Sequence, residues 1–317
     1  MIVDFSKARE AGQRPVIVFG ASGLLGSAIA RANPNSITVN SKEFDARDSV
    51  DTKNWFRRYA TDIQDSEIHI ACGRVAGIGG QRNLSMLVDN AKMVFNLLEC
   101  AAEFQWTGRT VYYSSSCVYP RDLDLFREED MLTGAFEPSN EGYALGKVLG
   151  QKMCEYLNQS RNNHQFITVV PPNLWGDNDN WNIETCHVLP ALTQKILRAK
   201  QDNQPTLTVW GEPDTRREFL RSDDVASAAR LLVDQNCTQD SVNVGYGSDI
   251  DIDSVVQGLC ARIGYTGKIE YNSNSVGKKR KLLISEGIRD LGWQPANSYE
   301  DMLDYMVAEA ARRGLAK

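Results

Sequence analysis

The stretch Val16-Ile17-Val18-Phe19-Gly20-Ala21-Ser22-Gly23-Leu24-Leu25-Gly26, running on into Ser27-Ala28-Ile29-Ala30, constrains the fold more than any other part of the chain. Four apolar residues in a row read as a strand buried on both faces, and glycines three apart let the backbone turn sharply before a helix begins. A strand, a glycine turn and a helix in that order open a βαβ unit, which calls for a parallel sheet with helices packed on it. The same turn suits a dinucleotide. Its glycines let the backbone approach a pyrophosphate, and the helix N-terminus offers unpaired N–H groups and a partial positive charge. An ordinary strand-to-helix turn is the bland alternative for a match of this kind.

The alternation continues through the first half. Further strands are predicted at Ile37–Val39, 67–71, Thr110–Tyr113 and Phe166–Val170, with helices near 50–59, 84–104 and 143–158. The expected fold is α/β, a Rossmann-type doubly wound parallel sheet with helices on both faces. After Pro171-Pro172 the strand periodicity stops, and the polar, tryptophan-containing segment to Cys186 reads as a loop. Helices at 187–199, 223–233, 250–263 and Tyr299–Arg312 and strands at 207–210 and 241–244 then suggest a smaller α/β lobe. The predicted division gives residues 1–172 and about 212–240 to a cofactor domain, and about 173–211 and 241–317 to a substrate domain with a cleft between them. Residues 1–14 are expected to form a solvated extension.

Bulk properties exclude several classes. A net charge of -6 and a pI near 5.3 argue against a general affinity for nucleic acid or anionic membrane, so the run Lys278-Lys279-Arg280-Lys281 is better read as a local clamp with solvated neighbours. No apolar run is long enough to span a membrane, and the first fifteen residues lack a signal-peptide pattern. Seven cysteines without a Cys-x-x-Cys pair fit reduced thiols, which predicts a cytoplasmic protein with no metal site.

The chemistry-bearing residues cluster around one strand end. Ser114-Ser115-Ser116-Cys117 follows the strand Thr110–Tyr113, and open α/β sheets place their sites at such C-terminal ends. Tyr143 and Lys147, four residues apart, share one helix face. An ammonium beside a phenol favours the phenolate and moves it toward working pH, so Tyr143 is expected to exchange a proton with a carbonyl oxygen. Ser115, helped by Ser116, would hold the developing alkoxide, and Lys147 would reach a cofactor ribose. At the end of the second strand stand Asn40, Ser41 and Lys42, with no carboxylate among them to hold a ribose 2′-hydroxyl, which favours NADP over NAD.

Of three histidines, His69 falls in a buried strand and His164 in a polar turn, whereas His187 opens a helix where a ligand can reach it. The commonest fate of a free cysteine such as Cys117 is a small buried filler.

Several longer words then occur in a fixed order: Ser114 to Pro120, Glu137-Pro138-Ser139-Asn140-Glu141-Gly142-Tyr143-Ala144-Leu145-Gly146-Lys147, Pro172-Asn173-Leu174-Trp175-Gly176, His187-Val188-Leu189-Pro190, Val209-Trp210-Gly211, Arg217-Glu218-Phe219-Leu220 and Arg280-Lys281-Leu282-Leu283. Over nearly its whole length the chain resembles the extended short-chain dehydrogenase/reductases, in particular the branch that converts a GDP-4-keto-6-deoxy sugar to GDP-L-fucose. The resemblance implies a Ser115-Tyr143-Lys147 triad for NADPH-dependent reduction at C4, and an acid/base pair, Cys117 and His187, for epimerisation at C3 and C5. Both carbons adjoin the carbonyl, so their protons are acidic, and inversion needs one group on each face. A thiol near about 8.5 and an imidazole near about 6.5 exchange protons readily at neutral pH.

It further implies NADP(H) binding by Gly20, Ser22, Gly23, Leu24, Leu25, Gly26, Lys42, Tyr143, Lys147 and His187. The GDP-sugar would be held by Ser116, Asn173, Lys195, Trp210, Arg217 and Lys281, and a homodimer would form through the helices near 84–104 and 143–158. The chain departs from the family in Ser22, where some members carry a base, in Gly142 before Tyr143, where Pro is frequent, in Gly146, a site commonly Ala or Ser, and in Lys195, a frequent Arg. The alternatives are a C4 reductase of another GDP-4-keto sugar, such as a colitose precursor or a heptose, and, in a different class, a non-catalytic or nucleic-acid-binding protein of the same fold.

Overall fold

The computed structural model describes residues 14–75, 84–272 and 278–315. All of the expected extension except Arg14 lies outside the described residues. Six strands, β1 (Val16–Phe19), β2 (Ile37–Val39), β3 (Glu67–Ile70), β4 (Thr110–Tyr113), β5 (Phe166–Val170) and β6 (Ser241–Asn243), form one sheet in the order β6-β5-β4-β3-β1-β2, with every neighbouring pair parallel. The main helices are α1 (Leu24–Ala32), α2 (Ser49–Ile63), α3 (Leu84–Glu103), α4 (Glu141–Arg161), α5 (Val188–Gln201), α6 (Ser222–Asp234), α7 (Ile252–Ile263) and α8 (Tyr299–Arg312).

Strands β1, β4 and β5 are largely apolar without alternation because both faces of the sheet are covered, whereas β3 carries Glu67 and His69. In β1, Ile17 and Phe19 belong to one core and Val18 to the other. The first core takes Trp55 and Phe56 from α2, Val94 and Leu97 from α3 and Cys154 from α4. Phe19 meets Trp55 edge-on at 5.4 Å between ring centroids, an arrangement that adds about 1 kcal/mol to plain area burial. The second core takes Ala28 and Ile29 from α1 and Val225, Ala228 and Leu232 from α6. Helices α3 and α4 lie so close that a Cβ on Gly146 would stand 2.9 Å from Asn90 Cβ. The glycine that departs from the family's usual Ala or Ser is therefore set by helix packing.

Chain direction decides where a ligand can sit. From β1 the chain crosses to β2 on one side, while β3 lies on the other, so the strand order reverses between β1 and β3 and leaves a crevice beyond their C-terminal ends. Gly20 follows β1 there and packs on the backbone of Cys72 just past β3.

A third core joins α5, α7 and α8 to the parallel strands Thr206–Trp210 and Lys268–Asn272, with Leu189, Ile196, Val209, Val255, Leu259 and Met302 at its centre. Short strands form two-stranded pairings outside the six-stranded sheet. Leu125–Phe126 pairs with Leu282–Leu283, and Arg216–Arg217 with Ile250–Asp251. The expectation that strand structure stops at Pro171 is corrected. Asn173–Trp175 is a strand parallel to Phe219–Arg221, because the two prolines lack N–H groups while Asn173, just after them, donates its own to the Glu218 carbonyl at 3.3 Å. Among the described residues no helix is long and apolar enough to cross a membrane.

Candidate active site

The glycine turn is shaped for a phosphate. Gly20 has φ +86° and donates its N–H to the Val39 carbonyl at 2.9 Å, and a Cβ there would meet Cys72 N at 2.6 Å. A Cβ on Gly26 would come within 2.1 Å of the Gly20 carbonyl oxygen. Gly23 is the N-cap of α1 and supplies no side chain, so the first N–H groups of that helix remain available to an anion. These residues fit a dinucleotide pyrophosphate. Ser22 and Gly23 are exposed, with Leu24 and Leu25 half-buried beside them.

Exposed Lys42 follows β2, its N–H held by Asn40 Oδ1 at 2.9 Å. The sequence reading saw no carboxylate among residues 40–42, yet Glu43 folds back and accepts the Asn40 N–H at 2.8 Å. The side chain is engaged at the strand end by a turn that one-dimensional spacing does not reveal.

At the end of β4, Ser115 begins a short 3-10 turn, Ser116–Val118, and its Oγ accepts the Cys117 N–H at 3.3 Å. Ser116 is buried, its N–H on the Pro171 carbonyl at 3.0 Å. Across from this turn, α4 presents Tyr143 and Lys147 on its buried face. Lys147 Nζ donates to the Tyr113 carbonyl at 2.9 Å and lies 5.8 Å from the centre of the Tyr143 ring. Burial pushes this ammonium down to about 8, against a smaller opposing effect of Cys72.

Burial likewise pushes the Tyr143 phenol well above its ordinary value. The Cys117 sulfur adds to that shift, and a hydrogen bond with Ser115 opposes it. The downward pull expected from Lys147 is not among the influences on this phenol; the pull expected from an oxidised nicotinamide belongs to the bound cofactor. The ammonium is directed at a backbone carbonyl, and desolvation of the phenol outweighs what charge remains near it.

Cys117 is half-buried, and its sulfur takes a hydrogen bond from Asn140 Nδ2 at 3.6 Å, just ahead of α4. Arg217 stands near enough for the two to feel each other's charge. His187 lies on a different element, as the N-cap of α5. Its ring makes no cap there, is 39% exposed, and has Nδ1 4.0 Å from Asp179 Oδ1. His69 sits inside the sheet between Tyr113 OH and Glu67, each at 2.8 Å, as a buried strand residue.

Arg217 is clasped by backbone, donating to the carbonyls of Arg216 at 2.7 Å and Lys278 at 2.8 Å, and burial depresses its pKa. Lys278 donates to the Arg121 carbonyl at 2.8 Å, Lys279 pairs with Asp214 at 2.7 Å, and Arg280 pairs with Asp249. Three of the four consecutive cations are therefore engaged within the protein, while half-buried Lys281 has no ion pair among the described residues.

Lys195 Nζ lies 5.4 Å from the ring centre of Trp210, itself 78% exposed and free to stack on a base. Asn173 binds the Glu218 carbonyl through Nδ2 at 2.9 Å. Sequence reasoning missed Asn140, Asp179 and Glu218. The last is a fully buried carboxyl that accepts N–H groups from Gly247 and Leu283, each at 2.9 Å. Only its place between Arg217 and Phe219 pointed to it.

The model of the NAD dependent epimerase/dehydratase family matches residues 16–245. A GDP-L-colitose synthase of Yersinia pseudotuberculosis is 33% identical over 288 residues, 88% of this chain and 92% of the relative. A probable GDP-L-fucose synthase of Oryza sativa subsp. japonica is 33% identical over 291 residues, 88% of this chain and 87% of the relative. Among solved structures, a GDP-L-fucose synthetase from Naegleria fowleri bound to NADP superposes with a TM-score of 0.81 at 24% identity, covering 95% of this chain and 93% of the other. At that identity the likeness speaks to the fold.

Proposed function

The chain belongs to the NAD dependent epimerase/dehydratase family, and from that premise we propose that it epimerises GDP-4-keto-6-deoxy-D-mannose at C3 and C5 and reduces it at C4 with NADPH, giving GDP-L-fucose. The observation that carries this reading is the single short turn holding both Ser115 and Cys117 opposite Tyr143. A ketone held by Ser115 and Tyr143 is polarised for both reactions at once. Cys117 and His187 then act on the carbons beside it: one removes a proton from one face, the other returns one on the opposite face, and the proton count is unchanged.

NADPH, when bound at the glycine turn, supplies the reducing equivalent for C4. Tyr143 gives its phenolic proton to the C4 oxygen, and Lys147, held on the Tyr113 carbonyl, lies beside that phenol. Lys42, together with the NADP seen in the Naegleria fowleri neighbour, supports the phosphorylated cofactor. Arg217, Lys281 and Lys195 meet the diphosphate, Trp210 the guanine, and Asn173 and Ser116 the sugar. On this reading the six-stranded sheet and its helices hold the cofactor and the third core carries the GDP-sugar side, so the expected boundary at 240 moves: Ser241–Asn243 is the edge strand of the cofactor sheet. A homodimer would bury the outer faces of α3 and α4, where Phe95, Leu145 and Leu149 are exposed.

The similarity to a GDP-L-colitose synthase supports a second reading, in which a different GDP-4-keto sugar is reduced with one or no inversion. Turnover in D₂O separates the two. Deuterium at both C3 and C5 is expected, and reduction that leaves those carbons unlabelled removes the epimerase half.

A further inference from the structure

We propose that Asn140 is the positioning residue for Cys117: its amide holds the sulfur in place beside the ketone site, so that inversion at the neighbouring carbons depends on Asn140. The role in epimerisation rests on the function proposed above.

The turn that carries Cys117 is fixed through its backbone. The Ser116 N–H is on the Pro171 carbonyl at 3.0 Å and the Cys117 N–H on Ser115 Oγ at 3.3 Å. With the backbone held, one side-chain torsion decides where the sulfur stands. Asn140 Nδ2 donates to Cys117 Sγ at 3.6 Å and so acts on that torsion.

Asparagine is among the best helix N-caps, and Asn140 occupies the N-cap of α4, yet its side chain makes no cap. Asp48, Asp251 and Ser298 do cap α2, α7 and α8 through their side chains. The Asn140 amide is turned from that use toward the sulfur, and its Oδ1 is buried with no hydrogen-bond partner among the described residues. A half-paired buried amide destabilises the fold, so the bond to Cys117 is what the side chain contributes.

Tyr143 follows three residues later on the same helix face and bonds Ser115. The start of α4 therefore reaches both Ser115 and Cys117 on the facing turn. An amide also suits a sulfur that takes a proton and gives it back. It donates through Nδ2 to a sulfur without its proton and, turned over, accepts an S–H through Oδ1, whereas a carboxylate only accepts and an ammonium only donates.

Two measurements on the full chain test this with Asn140→Ala. The first needs no substrate: in crystal structures, Cys117 Sγ should spread over more than one rotamer in the variant and keep a single one in the parent. The second follows deuterium entering C3 and C5 of GDP-4-keto-6-deoxy-D-mannose in D₂O. Its rate should fall about tenfold to a hundredfold, the loss that a reacting group misplaced by about 1 Å incurs, while affinities for GDP and NADPH stay within about twofold of the parent. With NADPH present, the share of reduced sugar that keeps its original C3 and C5 configuration should rise, which a general loss of structure would not cause. Asn140→Leu, which refills the space without polar atoms, should show the same losses.

A single parental rotamer in Asn140→Ala overturns the proposal, and so does unchanged exchange in a parent that exchanges. Rescue by Asn140→Leu overturns it as well, because packing alone would then hold the sulfur, and an equal loss of GDP affinity would make Asn140 a structural residue only. If the parent itself moves no deuterium, the epimerase reading fails, and the rotamer alone decides whether Asn140 holds the sulfur.

Discussion

Glu218 offers a sharp test of how the substrate side is held together. Its carboxyl is fully buried, and N–H groups from Gly247 and Leu283 point at its oxygens, each at 2.9 Å. Those donors favour the anion and burial opposes it. Burial wins, and the carboxyl is pushed up from 4.5 to about 7. Between those values the folded protein binds a proton that the unfolded chain has released, so stability is greatest below about 4.5 and declines as pH rises through about 7.

At about 1.36 kcal/mol per pH unit, the gap amounts to roughly 3 kcal/mol, a sizeable share of a domain's whole stability. Glu218→Gln cannot ionise. It trades one acceptor for a donor, which sets a constant offset, and it should abolish the pH-dependent part. Urea unfolding of both proteins at fixed ionic strength from pH 4.5 to 8 is the assay, with equal m-values as the control. The parent's stability relative to the variant should fall by about 3 kcal/mol across that range. Lys147, pushed down to about 8, changes stability only above that pH, so its effect does not overlap. A flat difference would show that Glu218 is ionised throughout and that the backbone donors, not burial, control it.

Three further outcomes are expected. Gly26→Ala places a methyl 2.1 Å from the Gly20 carbonyl oxygen, so α1 must retreat by about 1 Å, and NADPH affinity by fluorescence titration should fall about thirtyfold or more with GDP affinity unchanged. Parental NADPH binding would refute the assigned turn. Tyr143→Phe removes the phenolic proton, and NADPH consumption with the keto sugar should slow by about 10²–10⁴; a parental rate would give the proton transfer to another group. Arg217→Lys loses the fork that spans the Arg216 and Lys278 carbonyls, so KM for the GDP-sugar should rise about tenfold at nearly constant kcat. A drop in kcat alone would place Arg217 at the chemistry.

The central sheet was legible because doubly covered strands are written as unbroken apolar runs, and Val16–Phe19, Thr110–Tyr113 and Phe166–Val170 carry that signal. Tyr143 and Lys147 were legible because helical spacing puts them on one face. The short pairings were not. Leu125–Phe126 finds its partner at Leu282–Leu283, and two residues carry no periodicity of their own. Asp177 and Asp179 look alike in a polar loop, and only the third dimension gives one to Tyr305 and the other to His187. The direction of the Tyr143 shift was illegible for a related reason. Spacing shows which charges are neighbours in sequence, whereas desolvation depends on everything packed around the ring.

The backbone clasp around Arg217 has a consequence for how such a site can change. On the proposed reading the diphosphate meets Arg217, which is held by main-chain carbonyls of residues 216, 278 and 279 that no side-chain substitution alters directly, while the proposed reacting groups are side chains on α4, the Ser116–Val118 turn and the start of α5. Handle and tool are separately mounted. On that reading a lineage can exchange the sugar it works on by replacing a few side chains near Cys117 and His187, without relearning how to grip the diphosphate.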